Sequence, residues 1–262
     1  MRIIVCVKQV PGTNQVAIEP VTGTLKRDGV AAKVNPYDLF ALEAALVLAE
    51  ETGGSVKTLS MGPPQARAAL EESIWMGAEE GVLLSDRAFG GADVAATSYC
   101  LKLGITQLGD YDLIICGKQT TDGDTAQVGP ELAQRLGMEH AANVLFVEQT
   151  GERQITVTMD LDGQIQRQQM ELPCLITMEK DANTPRLPSY LREKAAKPEQ
   201  IRVLSAADLP QADLEKLGLK GSPTRVERIF APEKKTDKHL LTGTPEELTG
   251  QLYSLLTSEK FL

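Results

Sequence analysis

An α/β fold built on a mainly parallel sheet is predicted by three features of this 262-residue sequence. Apolar, β-branched runs alternate with helical patterns over residues 2–140, an order typical of βαβ units. From about residue 143 apolar residues recur at every second position, which indicates antiparallel strands. At residues 113–136 an apolar run leads through a polar loop into a helical pattern, an arrangement that favours phosphate binding.

Four strands and three helices are expected before residue 120. The strand-like runs are residues 3–7, 56–61, 81–85 and 112–116, and the helical patterns are residues 36–51, 65–76 and 93–108. The first helix is the best marked, because Asn35 can cap it, Pro36 takes its first position and Gly53 follows its end. Helices of this length between strands predict parallel pairing, with helices on both faces of the sheet.

Two elements depart from this alternation. Residues 16–19 and 30–34 flank a Thr-Gly-Thr turn, which predicts a hairpin projecting from the first loop. Later, apolar residues alternate with polar ones over residues 144–147, 154–159, 164–170 and 174–178. This period of two predicts an antiparallel meander added to the sheet, with an edge that is either buried or offered to a partner.

The polar loop after the fourth predicted strand is the best candidate for a binding site. It covers residues 117–129, and the free N–H groups and dipole of the following helix favour an anion. It lacks the G-x-x-x-x-G-K-[ST] signature of ATP-cleaving loops and carries two acids, Asp122 and Asp124. Amides and the hydroxyls of Thr121 and Thr125 would bind the phosphate. We therefore expect a nucleotide that is held and not hydrolysed.

Composition excludes several classes of protein. Apolar residues make up 42% and charged residues 24% of the chain, as in an ordinary globular protein. The net charge of −9 argues against nucleic acid as a partner, because nucleic-acid recognition needs a basic surface. No apolar segment is long enough for membrane insertion. Four cysteines without a C-x-x-C spacing and two histidines indicate no metal site, and a reducing cytoplasm is the expected location.

Residues 181–200 form a candidate contact loop. The segment is interrupted by prolines and carries three apolar residues, Leu187, Tyr190 and Leu191. Apolar residues on an exposed, proline-framed loop indicate a surface for a partner more than a core.

The sequence therefore divides into three parts. Residues 1–180 are expected to form a nucleotide-binding core, with the antiparallel extension from about residue 143. The contact loop at residues 181–200 follows, and residues 201–262 form a C-terminal arm. A helix is predicted in the arm at residues 245–258, with Thr244 as its cap.

Several of these segments together resemble the β subunit of electron-transfer flavoproteins over essentially the whole chain. Each segment is weakly specific alone, but their order and spacing are typical of that family. The segments are VCVKQV at residues 5–10, VNPYD at 34–38, SMGP at 60–63, GKQ at 117–119, DGDTAQVG at 122–129 and PRLPS at 185–189.

The resemblance implies a Rossmann-like fold related to the adenine nucleotide α-hydrolase group. It also implies a heterodimer with a larger α subunit that carries FAD, on which the C-terminal arm would pack. The chain would be an electron carrier with no catalytic side chain. The residues that match the family's nucleotide site are Cys6, Asn35, Tyr37, Asp38, Met61, Gly117, Lys118, Gln119, Thr120, Thr121, Asp122, Gly123, Asp124, Thr125, Ala126, Gln127 and Val128.

The contact loop resembles the family's recognition loop, which docks acyl-CoA dehydrogenase partners through an exposed leucine. By spacing, Tyr190 takes the place of that leucine, with Leu191 next to it and Leu187 before it. This departure from the family pattern leaves the anchor residue, and therefore the partner, open.

The family offers two choices of nucleotide. Respiratory members hold AMP as a structural ligand, whereas electron-bifurcating members hold a second FAD that takes a hydride from NADH. The DGDTAQVG loop is similar to the bifurcating members, and Gly123 lets the backbone approach a pyrophosphate. Residues 85–93 resemble the loop that contributes to their NADH site, through Phe89, Gly90, Gly91 and Asp93.

The expected function is electron bifurcation. NADH would reduce the FAD of this chain, and electrons would pass to ferredoxin or flavodoxin and, through the α subunit, to an acyl-CoA dehydrogenase-like partner. One alternative is a conventional β subunit with structural AMP. A second, an ATP-cleaving relative, is disfavoured because such proteins carry Ser-Gly-Gly-x-Asp-Ser after the first strand, where this chain has QVPG at residues 9–12.

Overall fold

A computed structural model describes residues 1–12, 17–18, 25–26, 32–227 and 240–262 of the protein. The chain divides into two compact units, Met1–Glu227 and Arg228–Leu262. The sheet, the candidate site and the contact loop all belong to the first unit.

The strands of the first unit are β1 (Arg2–Cys6), β2 (Gln9–Pro11), β3 (Ala17–Ile18), β4 (Leu25–Lys26), β5 (Ala32–Val34), β6 (Ser55–Met61), β7 (Glu80–Leu84), β8 (Leu113–Gly117), β9 (Glu139–Gly151), β10 (Gln154–Asp160), β11 (Ile165–Glu171), β12 (Cys174–Met178) and β13 (Ile201–Leu204). Its α-helices are α1 (Pro36–Thr52), α2 (Arg67–Met76), α3 (Val94–Gln107), α4 (Val128–Leu136) and α5 (Tyr190–Ala195). These elements confirm the predicted α/β class.

Nine of the described strands form one sheet in the order β11-β10-β9-β12-β8-β1-β6-β7-β13. In this spatial order, every neighbouring pair from β9 and β12 through to β7 and β13 is parallel. The two antiparallel pairs of the sheet are β11 with β10 and β10 with β9. Strand β1 lies between β8 and β6, with Ile3 opposite Leu113 and Val56. Ligands bind at the carboxyl edge of such sheets, which here is formed at the centre by β1, β6 and β8.

Helices cover both faces of the sheet because successive residues of β1 point to opposite sides. Val5 joins a buried core with Leu42 of α1 and Leu70 of α2. Ile4 joins a second core on the other face, which includes Ile105 of α3 and Leu132 of α4. The two cores fix α1 and α2 on one face and α3 and α4 on the other.

The expected meander is shorter than the alternation predicted. Strands β9, β10 and β11 are antiparallel neighbours, but β12 lies between β9 and β8 and runs parallel to both. All five residues of β12 are buried. A continuous apolar run is typical of a parallel strand covered on both faces, so the fourth run belongs to the parallel sheet.

Strand β13 was not predicted from the sequence. Ile201–Leu204 pairs in parallel with β7 and forms an edge of the sheet. Only Ile201 is buried, and Arg202 and Val203 are exposed. An edge strand with a single buried residue leaves no clear period in the sequence.

Most of the hairpin predicted at residues 16–34 lies outside the described residues. In the described parts, β3 pairs with β4 and β2 pairs with β5, both antiparallel. The second unit contains α6 (Pro245–Ser258), which matches the predicted helix. Thr244 caps it, accepting a hydrogen bond from the Glu247 N–H at 3.3 Å. Over the described residues, no helix has the length and apolar character that membrane spanning requires.

Candidate functional site

A cleft of about 310 Å³ opens at the carboxyl edge of the sheet, above the ends of β1, β6 and β8. Helix α3 forms one wall, and the loop between β8 and α4 forms the other. The cleft is lined by Cys6, Val7, Lys8, Asp38, Leu59, Met61, Ala92, Asp93, Val94, Thr97, Leu101, Cys116, Gly117, Lys118, Gln119, Thr120, Gly123, Thr125, Ala126, Gln127, Val128 and Gly129. Apolar side chains form its floor, and the loop supplies a polar rim.

Most residues of the loop at 118–127 line the cleft. The Asp124 N–H donates to the Thr120 carbonyl at 2.9 Å, and Asp124 and Ala126 both have a φ of +54°. This positive φ is costly for residues with a side chain, so it marks a loop shaped by its own contacts. Within the described structure, residues 125–129 donate no backbone hydrogen bond to a protein acceptor. Unpaired amides at a helix start can bind an anion.

Asn35 holds this loop in place. Its Nδ2 donates to the Gln119 carbonyl at 2.8 Å, and its Oδ1 accepts from the Thr121 N–H at 3.2 Å. The side chain is fully buried and makes no cap bond to α1, so the cap predicted from the sequence is wrong for the side chain. The Asn35 carbonyl instead accepts from the Leu39 N–H at 3.2 Å.

Asp38 lies beneath the loop, on the first turn of α1. The Lys8 N–H donates to its Oδ2 at 2.8 Å, and a Cβ on Gly117 would lie 2.4 Å from its Oδ1. Burial raises the pKa of Asp38 to about 7, although hydrogen bonds from Asn35 and Lys8 oppose the shift. The carboxyl group therefore changes charge near neutral pH at the edge of the cleft.

Two ion pairs involve the lysines that line the cleft. The Lys8 ammonium lies 2.7 Å from Oδ1 of Asp122, and the Lys118 ammonium lies 2.6 Å from Oε2 of Glu179. Burial alone would raise the pKa of Asp122, but the hydrogen bond and charge of Lys8 outweigh it, and the pKa is lowered. The Asp122 carboxylate is therefore stabilised in its charged form beside Lys8.

The opposite wall is built around Asp93, which caps α3 by accepting from the Ala96 N–H at 3.1 Å. Its other oxygen accepts from the N–H and hydroxyl of Thr224, at 3.0 and 2.8 Å. The Asp93 N–H donates to the Ser222 hydroxyl oxygen at 2.9 Å. Residues 217–224 therefore support this wall, an involvement that the sequence did not signal.

The predicted site residues are only partly brought together. The predicted residues that line the cleft are Cys6, Asp38, Met61, Asp93, Gly117, Lys118, Gln119, Thr120, Gly123, Thr125, Ala126, Gln127 and Val128. Those that do not line it are Asn35, Tyr37, Phe89, Gly90, Gly91, Thr121, Asp122 and Asp124. The lining residues that the site prediction missed are Val7, Lys8, Leu59, Ala92, Val94, Thr97, Leu101, Cys116 and Gly129.

Several predicted residues that do not line the cleft contact the residues behind its walls. The Tyr37 hydroxyl accepts from the Gln119 amide at 3.4 Å, and Asp124 also accepts from Gln119. Phe89 is buried in the core beside α3, and Leu219 packs against Gly91. These residues support the two walls of the cleft, and neighbouring residues form the cleft surface.

The contact loop lies apart from the cleft, against α1 and α2. Leu187, Tyr190 and Leu191 are 87%, 67% and 79% exposed, and their role as a partner surface stays a prediction. Arg186 fixes the base of the loop by pairing with Glu43 at 2.9 Å, where Glu43 is a buried residue of α1.

The parallel sheet, the cleft at its carboxyl edge and the amide-rich loop define a Rossmann-like nucleotide-binding class of protein. Residues 22–209 match the electron transfer flavoprotein domain. The chain belongs to the electron transfer flavoprotein family, as a β subunit. Membership implies association with a flavin or nucleotide, and β subunits of this family partner with an α subunit.

Three relatives align over nearly all of this chain. The electron transfer flavoprotein subunit beta of Clostridium acetobutylicum is 42% identical over 100% of both chains. Protein FixA of Azorhizobium caulinodans is 44% identical, over 94% of this chain and 90% of its own. The caffeyl-CoA reductase-Etf complex subunit CarD of Acetobacterium woodii is 44% identical over 100% of both. The resemblance found in the sequence is thereby confirmed.

Proposed function

We propose that this chain is the β subunit of an electron-bifurcating electron-transfer flavoprotein. It binds FAD in the cleft, accepts a hydride from NADH through that flavin, and delivers electrons to a ferredoxin or flavodoxin. The second route leads through the α subunit to an acyl-CoA dehydrogenase-like partner. The single observation that carries the proposal is that residues 125–129, whose backbone amides donate to no acceptor among the described residues, line the cleft opposite α3.

The lining of the cleft supports binding of the adenosine diphosphate part of FAD. Apolar side chains such as Leu59, Met61 and Leu101 line it and suit a flat aromatic base, while Thr125 and the amides suit phosphate oxygens. Gly123 adds no side chain where a pyrophosphate would approach. When bound, FAD supplies hydride acceptance and release of single electrons, and this chain supplies position and electrostatics.

A site for NADH is proposed beside α3. Ala92, Asp93 and Val94 line the cleft there, at the end of the segment that resembles the NADH loop. Asp93 is held by Thr224 and Ser222, which gives the wall a defined position. Phe89, Gly90 and Gly91 would act by shaping this wall, because Phe89 is buried and Gly91 packs on Leu219.

The proposed partners follow from the relatives and from the contact loop. The Acetobacterium woodii relative is named as a subunit of a complex with a CoA-ester reductase, which supports an acyl-CoA dehydrogenase-like partner here. The exposed Leu187, Tyr190 and Leu191 would meet that partner. We place this function in a reducing cytoplasm, where free cysteines, such as the four of this chain, are typical.

Structural AMP is the second candidate. The cleft volume of about 310 Å³ lies at the lower end of the range for ligand sites, roughly 300–1,000 Å³, and suits a mononucleotide. A β subunit with AMP would shuttle electrons from acyl-CoA dehydrogenases without NADH.

Nucleotide content separates the two candidates. The chain is co-expressed with its α subunit, the purified heterodimer is denatured, and released FAD and AMP are quantified. About two FAD per heterodimer with no AMP, together with flavin bleaching on addition of NADH, is the expected result. One FAD and one AMP, with no response to NADH, would establish the conventional function instead.

A further inference from the structure

Two of the described residues that line the cleft are cations, and each is paired with a carboxylate that lies outside it. Among the described lining residues, Lys8 and Lys118 are the lysines, and there is no arginine or histidine. Their partners, Asp122 and Glu179, do not line the cleft. A phosphate that enters the cleft therefore meets cations whose charge is already balanced.

Lys8 is fixed by two backbone hydrogen bonds and by the pairing of its side chain with Asp122. Its N–H donates to Asp38 at 2.8 Å, and its carbonyl accepts from the Asn35 N–H at 2.9 Å. Its ammonium contacts both oxygens of Asp122, at 2.7 and 2.9 Å. Asp122 thus determines whether the Lys8 charge is available to a ligand.

Carboxylates add to this balance. Asp38 and Asp93 both line the cleft, and hydrogen bonds from Ala96 and Thr224 outweigh the opposing effect of burial and lower the pKa of Asp93. The cleft and its ion-pair partners therefore carry no excess positive charge. Anion binding rests on the amides of residues 125–129, which provide partial charges only.

Building on the proposed function, we propose that Asp122 sets the phosphate preference of the cleft by neutralising Lys8. The cleft then favours a diphosphate diester, which carries one charge on each phosphorus, over a phosphate monoester. A monoester such as AMP carries close to two charges on one phosphorus at neutral pH, because its second pKa is about 6. A free Lys8 ammonium attracts two negative charges on one phosphate more strongly than two charges that are spread over two phosphates, because one of the latter lies farther away.

The test is a double-mutant comparison on the full-length chain freed of nucleotide. Wild type, D122N, K8M and K8M/D122N are titrated calorimetrically at low salt with AMP, FAD and adenosine. In D122N the affinity for AMP should rise relative to that for FAD by at least about threefold, because the released Lys8 ammonium attracts a doubly charged phosphate more strongly than a singly charged one. Affinity for adenosine should stay unchanged, and 1 M salt should abolish the difference.

The K8M background decides whether the effect passes through Lys8. The proposal is overturned if D122N leaves the ratio of the AMP affinity to the FAD affinity within twofold of wild type. It is also overturned if D122N changes this ratio equally in the Lys8 and K8M backgrounds. A wild-type chain that binds AMP but not FAD would contradict the proposed bifurcating function but not the role of Asp122. The role of Asp122 would then be decided by the AMP-to-adenosine ratio across the same four proteins.

Discussion

The carboxylate of Asp93 joins the first turn of α3 to Thr224, a residue 131 positions later in the chain. One oxygen accepts from the Ala96 N–H, and the other accepts from both donors of Thr224. Since Asp93 also lines the cleft, the segment after β13 fixes the position of one cleft wall. The chain beyond the sheet therefore takes part in the site.

Replacing Thr224 with valine should loosen this wall. The T224V variant keeps the shape of the side chain but removes the hydroxyl donor, so the free energy of unfolding should fall by about 1 kcal/mol. Nucleotide affinity should weaken as well, because the Asp93 carboxylate loses one of the hydrogen bonds that hold it in the cleft wall. Urea denaturation and calorimetric titration measure the two effects. T158V, a similar change on β10 far from the cleft, serves as the control, and equal losses in both variants would contradict a specific role.

Asp38 should give the protein a pH-dependent stability. Its pKa of about 7 in the folded protein lies above the ordinary value of 3.8, so the folded state keeps a proton that the unfolded state has lost. Stability should therefore fall as the pH rises from about 4 to 7, by up to roughly 1.4 kcal/mol per pH unit. In D38N this slope should disappear, whatever constant change in stability the substitution brings. Urea denaturation at several pH values measures it.

Asp208, an acid whose pKa is lowered in the folded protein, provides the control for that experiment. Hydrogen bonds from Ser205 lower the pKa of Asp208, so its stabilising contribution should be lost only as the pH falls below its unfolded value. D208N should therefore keep the wild-type slope between pH 4 and 7. Parallel slopes for wild type and D38N would show that Asp38 is already charged at pH 5.

The sequence predicted features that depend on neighbouring residues. Pro36 and Gly53 mark the ends of α1 locally, and the structure ends that helix at Thr52, one residue past the prediction. The loop at residues 117–129 was likewise predicted from strand, loop and helix order, and most of its residues line the cleft.

Features that depend on distant parts of the chain were missed. Thr224 and Ser222 reach Asp93 across about half the chain, with no local pattern to signal it. The Asn35 side chain was assigned to a helix cap because that is the common local use of asparagine. In the structure it binds residues 119 and 121, contacts that only the sheet brings within reach.

Gly117 should tolerate no side chain. A Cβ there would lie 2.4 Å from Asp38 Oδ1 and 2.7 Å from the backbone carbon of Tyr37, so the backbone itself would have to move. G117A should cost about 2 kcal/mol or more and weaken nucleotide binding. G109A is the matched control, because Gly109 has a φ of +85° but open space around it, and should cost only about 1 kcal/mol. Thermal unfolding of both variants decides, and a smaller loss in G117A than in G109A would contradict the contact.

The pairing of Arg186 with Glu43 should hold the contact loop in the position that we propose for partner binding. Three guanidinium contacts, at 2.9, 3.0 and 3.2 Å, reach a Glu43 side chain that is only 9% exposed. A double-mutant cycle with R186M and E43Q should therefore give a coupling of about 1–3 kcal/mol. E50Q, at a carboxylate that is 59% exposed, should cost less than about 1 kcal/mol.

Loss of this ion pair should also affect electron transfer to the partner. Leu187 follows Arg186 directly, so a loop that is no longer fixed at its base presents its apolar residues in many positions and binds a partner with a greater loss of entropy. Stopped-flow mixing of the R186M heterodimer with an acyl-CoA dehydrogenase should show slower transfer, while nucleotide binding in the separate cleft stays at the wild-type level. If the transfer rate is unchanged although the cycle shows coupling, Arg186 stabilises the fold alone, and the partner docks elsewhere.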